Sequence, residues 1–125
     1  ERGSLTRSAG DVLLQSIDLA VAAEELGADG AYFRVHHFAR QQASPMPLLA
    51  TIAAKTKHIE VGTGVIDMRY ENPLYLAEEA AATDLLSEQR LQVRRGEHST
   101  LRHLRSQMPD VVHLFHRAAS SKSAP

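Results

Sequence analysis

Short apolar segments alternate with amphipathic helical segments along this chain, and this alternation limits the fold more than any other feature. The apolar segments recur about every thirty residues, the spacing expected of strands joined by crossover helices. The predicted strands are Ala31–Val35, Ile59–Ile66 and Arg90–Val93, and the predicted helices are Gly10–Leu26, Ser44–Thr56 and Asn72–Leu86. This order predicts right-handed βαβ units and an α/β fold with a parallel sheet.

Ionisable residues follow the first two predicted strands. His36 and His37 come directly after the first strand, and Asp67 comes directly after the second. The carboxyl ends of parallel strands lie along one edge of a sheet, where functional side chains collect. We therefore expect the functional site at this edge. Adjacent residues on a strand point to opposite faces, so the two histidines do not form the basis of a metal site.

Boundary signals flank each predicted helix. Asp11 is the candidate N-cap of the first helix, Gly27 is its candidate C′ residue, and Glu24 is expected on its solvent side. Ser44-Pro45 and Asn72-Pro73 are N-cap and N1 pairs that begin the other two helices. The predicted apolar faces are Leu13, Leu14, Ile17, Ala20 and Val21 in the first helix and Leu74, Ala77, Ala80, Ala81 and Leu85 in the third.

The composition is that of a globular domain. Of the 125 residues, 43% are hydrophobic and 23% are charged. No apolar stretch approaches the roughly 20 residues of a membrane span, and the first residues lack an apolar signal core. We therefore expect no membrane contact and a cytoplasmic location. The absence of cysteine excludes disulfides, thiolate metal sites and cysteine nucleophiles.

Charge is distributed unevenly and predicts a boundary near Val93. Residues 1–93 carry 8 Lys/Arg and 13 Asp/Glu, whereas residues 94–125 carry 6 and 2, together with four of the seven histidines. We expect 94–125 to be a basic, poorly structured tail. A metal site built on His113 and His116, with His98 or His103, is the alternative to a solvated tail. The tail has no recognised nucleic-acid motif, so we expect no nucleic-acid partner.

Two glycines interrupt the second predicted strand. Gly62 and Gly64 indicate either close approach of another backbone or a ligand, or space for a neighbouring side chain. The chain has no phosphate-binding loop of the Rossmann or P-loop type and no G-x-S-x-G elbow. Nucleotide binding through those loops and hydrolysis at such an elbow are thereby excluded.

Several short motifs, taken in order, resemble one known family. They cover roughly residues 10–93 and are Glu24-Glu-Leu-Gly27, His36-His37-Phe38, Ser44-Pro-Met-Pro-Leu48, Val61-Gly-Thr-Gly64, Asn72-Pro-Leu74, and Asp84-Leu-Leu-Ser87 followed by Arg90-Leu91. The chain resembles the luciferase-like flavin monooxygenases, which include bacterial luciferase and the alkanal monooxygenases. The resemblance implies a (β/α)8 barrel of the TIM type, of which three parallel strands and three helices are visible here.

The resemblance also implies a cofactor and site residues. His36 corresponds to the family's active-site histidine beside the flavin, and an imidazole can move a proton near neutral pH. Thr63, Gly64 and Val65 correspond to backbone, often with a non-prolyl cis peptide, that packs against the isoalloxazine ring. The implied cofactor is reduced FMN or a deazaflavin used with oxygen. The implied partners are a small-molecule substrate, with an aldehyde as one candidate, and a second copy of the chain bound through Ser44–Thr56 and Asn72–Leu86.

Departures from the family pattern accompany the resemblance. Val35 stands where many relatives carry an acid, and Val93-Arg-Arg-Gly96 fits the family's next segment only with a two-residue deletion. A TIM barrel needs about 250 residues and eight strands. We therefore expect a truncated monooxygenase with impaired activity, and we hypothesise that a frameshift produced the tail. The alternative is a non-catalytic oligomeric remnant or scaffold of the family.

Overall fold

The structure, a computed structural model, describes residues 7–39 and 42–95. The predicted tail therefore lies outside the described residues, apart from its first two positions. The elements are α1 (Ala9–Glu25), β1 (Gly30–Phe33), α2 (Pro45–Lys55), β2 (Glu60–Ile66), a 3₁₀ turn (Met68–Tyr70), α3 (Pro73–Leu86) and β3 (Leu91–Arg95). The strands form one parallel sheet in the order β1-β2-β3. The predicted α/β alternation is confirmed.

Two strand ends differ from the prediction. β1 ends at Phe33 rather than Val35, because its last link to β2 is a single long hydrogen bond from Val35 N to Val65 O, at 3.4 Å. β3 continues beyond Val93 to Arg95, because its pairing with β2 extends that far. The backbone of the first two residues assigned to the tail thus belongs to the sheet.

Side-chain caps begin the first and third helices. Ser8 Oγ accepts a hydrogen bond from Asp11 N at 3.0 Å, and Asp11 Oδ2 accepts one from Ser8 N at 3.1 Å. This capping box makes Ser8 the N-cap, so the assignment of Asp11 to that position is wrong. Asn72 caps α3 as predicted, with its Oδ1 accepting from Leu74 N at 3.0 Å. Ser44 precedes α2 without a side-chain capping bond, so Pro45 at N1 is the operative start signal.

The core lies between the sheet and the helices, which contact the strands that follow them. α2 packs between α1 and α3 and contacts β2, the central strand. Its sequence places apolar residues three and four apart, which brings them to one face of the helix. The largest fully buried apolar side chains come from α2, from β2 and from the turn between them, and they are Leu49, Ile52, Ile59, Val61 and Ile66.

The buried faces of the outer helices are only partly those predicted. In α1, Ile17 and Ala20 are buried as expected, but Leu14 is 63% exposed. In α3, Leu74 and Leu85 are 46% and 48% exposed. The buried residues of α3 are Leu76, Ala80 and Thr83. Alanine fills several faces of this helix, so its sequence alone leaves the direction of the core undefined.

Glu24 closes the turn before β2. Its carboxylate accepts hydrogen bonds from three consecutive backbone N–H groups: Lys57 N at 2.9 Å, His58 N at 2.7 Å and Ile59 N at 2.8 Å. Glu24 is predicted on the solvent side of α1, and the sequence carries no sign that its carboxylate also binds the turn before β2. Glu24, the first residue of the motif Glu24-Glu-Leu-Gly27, thus joins α1 to the amino edge of the sheet.

Arg90 closes the same edge from the other side. The terminal nitrogens of its guanidinium donate to three backbone carbonyl oxygens, of Ala53 at 2.8 Å, Thr56 at 3.0 Å and Ile59 at 2.8 Å. These carbonyls end α2 and begin β2, where an unpaired acceptor would be costly.

Within residues 7–39 and 42–95, no helix is long and apolar enough to cross a membrane.

Candidate active site

The carboxyl edge of the sheet brings the end of β1 against the end of β2. The hydrogen bond from Val35 N to Val65 O joins the two chain segments. His36 follows at once, with its N–H donating to Gln42 O at 3.3 Å and its carbonyl accepting from Ala39 N at 3.1 Å. The His36 backbone is thus held in place while its side chain is exposed to solvent.

The Gly64–Val65 peptide is the second feature of this edge. It is a cis peptide bond between non-prolyl residues, at the position that the family resemblance suggests. Gly64 is exposed, and Val65 is 42% exposed. A Cβ added at Gly64 would lie 3.3 Å from Cβ of Tyr32, tighter than an ordinary contact. Glycine therefore leaves a bare stretch of backbone that a planar ring could approach.

Thr63 has a different environment from the two residues that follow it. It is fully buried, and its hydroxyl donates to Arg94 O at 2.7 Å and accepts from Arg94 N at 2.9 Å. These bonds tie β2 to β3 immediately before Gly64. Of the three residues predicted to contact a cofactor, Gly64 and Val65 present exposed backbone, whereas the Thr63 side chain positions that backbone.

His37 lies in a small aromatic cluster with Phe38 and Tyr70. The His37 and Tyr70 ring centroids are 5.5 Å apart, and the Phe38 and Tyr70 rings meet edge to face at 5.7 Å. His37 Nε2 lies 3.0 Å from Glu71 Oε1 without the geometry of an aligned hydrogen bond. The sequence signalled neither the cluster nor the contact with Glu71.

The acidic groups at this edge have opposite pKa shifts. Burial raises the pKa of Glu71, partly offset by the nearby charge of His37 and reinforced by Glu79. Hydrogen bonds from the side chain and backbone of Arg69 lower the pKa of Asp67 to about 2. The nearby charge of His37 acts in the same direction. No group of three or more His, Cys, Asp or Glu within residues 7–39 and 42–95 could hold a metal ion.

A glycine and a tyrosine shape the face of the sheet opposite the helices. The Tyr32 ring lies over Gly62, where an added Cβ would lie 2.9 Å from Tyr32 Cε1 and collide with Gln92 O. Both predictions for Gly62 are thus correct: another backbone approaches it closely, and the glycine leaves space for a neighbouring side chain. The Tyr32 hydroxyl donates to Glu60 Oε2, and that hydrogen bond raises the pKa of Tyr32.

The sequence and the fold were compared with those of known proteins. The family model of the luciferase-like monooxygenases matches residues 1–103. The oxygenase component of a flavin-dependent trigonelline monooxygenase from Acinetobacter baylyi is 36% identical over 81 residues, 63% of this chain and 22% of that protein. The monooxygenase RslO1 from Streptomyces bottropensis has a TM-score of 0.67 at 28% identity, over 90% of this chain and 36% of that one.

A further solved structure shares the fold. The oxygenating constituent of 3,6-diketocamphane monooxygenase from Pseudomonas putida, solved in complex with FMN, has a TM-score of 0.68 at 20% identity, over 91% of this chain and 34% of that one. The chain thus spans between 22% and 36% of the length of these three proteins. Its three parallel strands correspond to part of a TIM barrel, as predicted. On this evidence the chain belongs to the luciferase-like monooxygenase family.

Proposed function

We propose that this chain forms part of a flavin site in a flavin-dependent monooxygenase or oxidoreductase, with His36 as its active-site residue. One observation carries the proposal: the hydrogen bond from Val35 N to Val65 O joins the segment bearing His36 to the exposed Gly64–Val65 backbone. An exposed imidazole and a flat, uncovered peptide are thereby neighbours at the carboxyl edge of a parallel sheet, where ligands bind.

The residues present fit the planar part of a flavin. Gly64 has no side chain to obstruct the ring, and Val65 adds apolar surface at 42% exposure. A bound reduced flavin would supply the electrons for oxygen activation. This chain would contribute the backbone on which the ring rests and, at His36, an imidazole able to hold or release a proton near neutral pH. The cofactor we propose is FMN or a deazaflavin, and the second reactant is a small molecule, with a long-chain aldehyde as one candidate.

We further propose that these 125 residues alone bind flavin weakly and do not turn over. The chain spans 22% of the trigonelline monooxygenase component and 36% of RslO1, so most of the length of these proteins has no counterpart in this sequence. Phosphate groups are held by several charge-assisted hydrogen bonds, each contributing about 1.5–3 kcal/mol. Losing most of them weakens FMN binding by several orders of magnitude.

The cysteine-free composition suits a reducing cytoplasm, where we place the protein.

Flavin titration tests the proposal directly. FMN fluorescence is titrated with the purified chain, with Val65→Asp and with Leu19→Asp, which adds the same charge to a residue of α1 that is 68% exposed. We expect weak saturable binding by the wild type and by Leu19→Asp, and at least about tenfold weaker binding by Val65→Asp, since the charge would face the ring. Equal affinities in all three proteins, or no binding at millimolar FMN, would contradict the proposal and favour a non-catalytic remnant.

An oxygen-consumption assay with reduced FMN and a long-chain aldehyde tests the activity. We expect no turnover above that of free flavin, in the wild type or in His36→Ala. His58→Ala is the matched control, because His58 is exposed at the opposite edge of the sheet. Turnover that disappears only in His36→Ala would refute the impaired-activity proposal and show that the chain assembles a complete site.

We also propose that the chain associates with a second copy through α2 and α3. Four large apolar side chains of α3 are at least 46% exposed, and they are Leu74, Tyr75, Leu85 and Leu86. These residues lie in pairs at the two ends of α3, and exposed apolar surface of this kind favours association. Sedimentation should show a dimer at tens of micromolar, shifted to monomer by Tyr75→Glu. A compact monomer for the wild type would refute this. Ala80 is unsuitable for the test because it is only 1% exposed and belongs to the core.

A further inference from the structure

The residues on either side of His36 are anchored, whereas His36 itself is not. Val35 is 7% exposed and packs in the core, and the side chain of His37 is 14% exposed. The His36 imidazole between them is exposed and forms no hydrogen bond, ion pair or ring contact within residues 7–39 and 42–95. The direction of this imidazole therefore depends on its backbone, which the two anchored neighbours hold.

The anchor that follows His36 is a contact between His37 and Glu71. His37 Nε2 is buried, and it lies 3.0 Å from Glu71 Oε1. The Glu71 side chain is only 17% exposed, so water has little access to the pair. An imidazole lone pair and a carboxylate oxygen repel each other at this distance, so the contact is favourable when Nε2 carries a proton. The last torsion of a glutamate is broad, which lets the carboxylate turn to align the contact as a hydrogen bond.

Glu71 is held by the backbone around it. Its N–H donates to Met68 O at 3.2 Å, which closes the 3₁₀ turn, and the next residue, Asn72, caps α3. The neighbouring Tyr70 ring adds a second contact to His37, with the ring centroids 5.5 Å apart. The loop after β1 is thus tied to an ordered turn after β2, and a side chain on such a base can hold a partner in one position.

Other charged groups near this pair leave Glu71 as the partner of His37. The Asp67 carboxylate is engaged by the Arg69 side chain, with Arg69 Nε donating to Asp67 Oδ1 at 3.0 Å. Glu79 of α3 acts on Glu71 from the other side. Burial raises the pKa of Glu71, the charge of His37 lowers it, and the charge of Glu79 raises it. The protonation of Glu71 is therefore coupled to that of His37.

We propose that Glu71 is a positioning residue for His36: through His37, it fixes the backbone that carries the His36 imidazole beside the Gly64–Val65 peptide. Proton transfer needs its donor and acceptor within hydrogen-bond reach, and a misplacement of about 1 Å can slow a reaction about 100-fold. An imidazole without side-chain contacts of its own gains such precision only from its backbone. The consequence for a flavin rests on the function proposed above, whereas the link between Glu71 and His36 can be measured in the chain alone.

NMR relaxation of the backbone amides measures this link in the free chain. The proteins are the wild type, Glu71→Ala, Glu71→Gln and the matched control Glu78→Ala, at an exposed glutamate of α3. We expect an order parameter of about 0.85 for the His36 amide in the wild type and in Glu78→Ala, and below about 0.6 in Glu71→Ala. Glu71→Gln should recover most of this loss, because its amide oxygen can still accept from His37 Nε2. The order parameters of β1 and β2 should be the same in all four proteins.

The titration of the Glu71 carboxyl, followed by carbon-13 NMR, supplies a readout that a purely structural role would not change. His37→Phe keeps a ring against Tyr70 but removes the nitrogen that faces Glu71. The pKa of Glu71 should rise in His37→Phe, because the charge that lowers it is gone. It should keep its wild-type value in His36→Phe, the same change at the exposed neighbour.

Two results from the free chain would overturn the proposal. The first is a His36 amide whose order parameter is unchanged in Glu71→Ala or already low in the wild type. The second is a pKa of Glu71 that is the same in His37→Phe and in the wild type.

A third measurement tests the role toward a flavin. Bound FMN should shift the imidazole proton resonances of His36 through its ring current, and this shift should fall at least about twofold in Glu71→Ala while FMN affinity changes by less. An equal shift in both proteins would overturn the positioning role at the flavin. Absence of FMN binding would refute the proposed function, and the two measurements on the free chain would still decide whether Glu71 positions His36.

Discussion

Replacing Glu24 with glutamine should destabilise the fold although no apolar contact is lost. The carboxylate accepts three backbone N–H groups of Lys57, His58 and Ile59, at 2.7–2.9 Å. Glutamine keeps one carbonyl oxygen but puts an NH₂ group, a donor, in place of the second acceptor. The bond from Lys57 N to Oε1, at 2.9 Å, is lost, and the three bonds to the oxygen that remains lose their ionic character. The neighbouring Glu25 is exposed and provides the matched control, Glu25→Gln.

The magnitude follows from the number and kind of bonds. A hydrogen bond to a charged group contributes about 1.5–3 kcal/mol, against about 1 kcal/mol for a neutral one. Because the Glu24 carboxylate is partly solvated, water screens the difference. We expect a loss of about 1–2 kcal/mol in the free energy of unfolding at pH 7. For a domain of this size each kcal/mol lowers Tm by about 4–8 °C.

The pH dependence supplies a second readout. The Ile59 N–H, aided by those of His58 and Lys57, lowers the pKa of Glu24 from 4.5 to about 2 against an opposing effect of desolvation. A carboxyl whose pKa is depressed by folding stabilises the protein above its unfolded pKa and loses that contribution as the pH falls through its folded pKa. The Tm gap between wild type and Glu24→Gln should therefore be full at pH 7 and narrow between pH 4.5 and about 2.

Thermal melts and urea unfolding of the three proteins between pH 3 and pH 7 measure both effects. Equal Tm values for Glu24→Gln and Glu25→Gln at pH 7 would refute the claim that the carboxylate holds the turn. A gap that persists unchanged to pH 3 would refute its electrostatic origin.

Three further substitutions test the fold at other points. Arg90→Lys should lower the free energy of unfolding by about 2–4 kcal/mol, because an ammonium cannot reach all four carbonyls to which the guanidinium donates. Arg69→Lys, at a side chain 71% exposed, is the control. Gly62→Ala should cost at least about 2 kcal/mol in the same measurement, since its Cβ would overlap Gln92 O. Gly10→Ala, whose Cβ would meet only Ser8 Oγ at 3.7 Å, should instead stabilise α1 by about 0.5–1 kcal/mol. Asn72→Ala should cost about 1 kcal/mol and speed amide exchange in the first turn of α3.

The order of elements could be predicted from the sequence because it depends on local pattern. The hydrophobic periodicity, proline at N1 and glycine at C′ each involve only a few neighbouring residues. The predicted bounds of the helices and strands are therefore close to the observed ones. Gly27 adopts φ +84°, as a C′ residue requires. What local pattern could not supply was the roles of Glu24 and Arg90. Their partners lie more than thirty residues away in sequence, so their contacts exist only once the sheet has its register.

The same limit applies to the candidate site. The position of His36 at a strand end, and its neighbourhood with Gly64, follow from parallel topology and could be predicted. The burial of Thr63 against Arg94 and the pairing of Gly64 with Arg94 depend on which residues face each other across strands. That register is set by packing against the helices. A sequence pattern of period two indicates which residues share a face, but not which of them meet.

The amino edge of the sheet holds contacts that stabilise the fold, whereas the carboxyl edge holds the proposed site. At the amino edge, Glu24 and Arg90 satisfy backbone groups of the α2–β2 turn, so their loss leaves buried or half-buried polar groups unpaired. At the carboxyl edge, His36, Gly64 and Arg34 are exposed, and the rest of the described fold loses no contact when the side chain of His36 or Arg34 is changed. Substitutions at the first edge should therefore lower Tm while leaving ligand affinity per folded molecule unchanged. Substitution of His36 should do the reverse, because an exposed side chain without a contact in the described fold contributes little to folding.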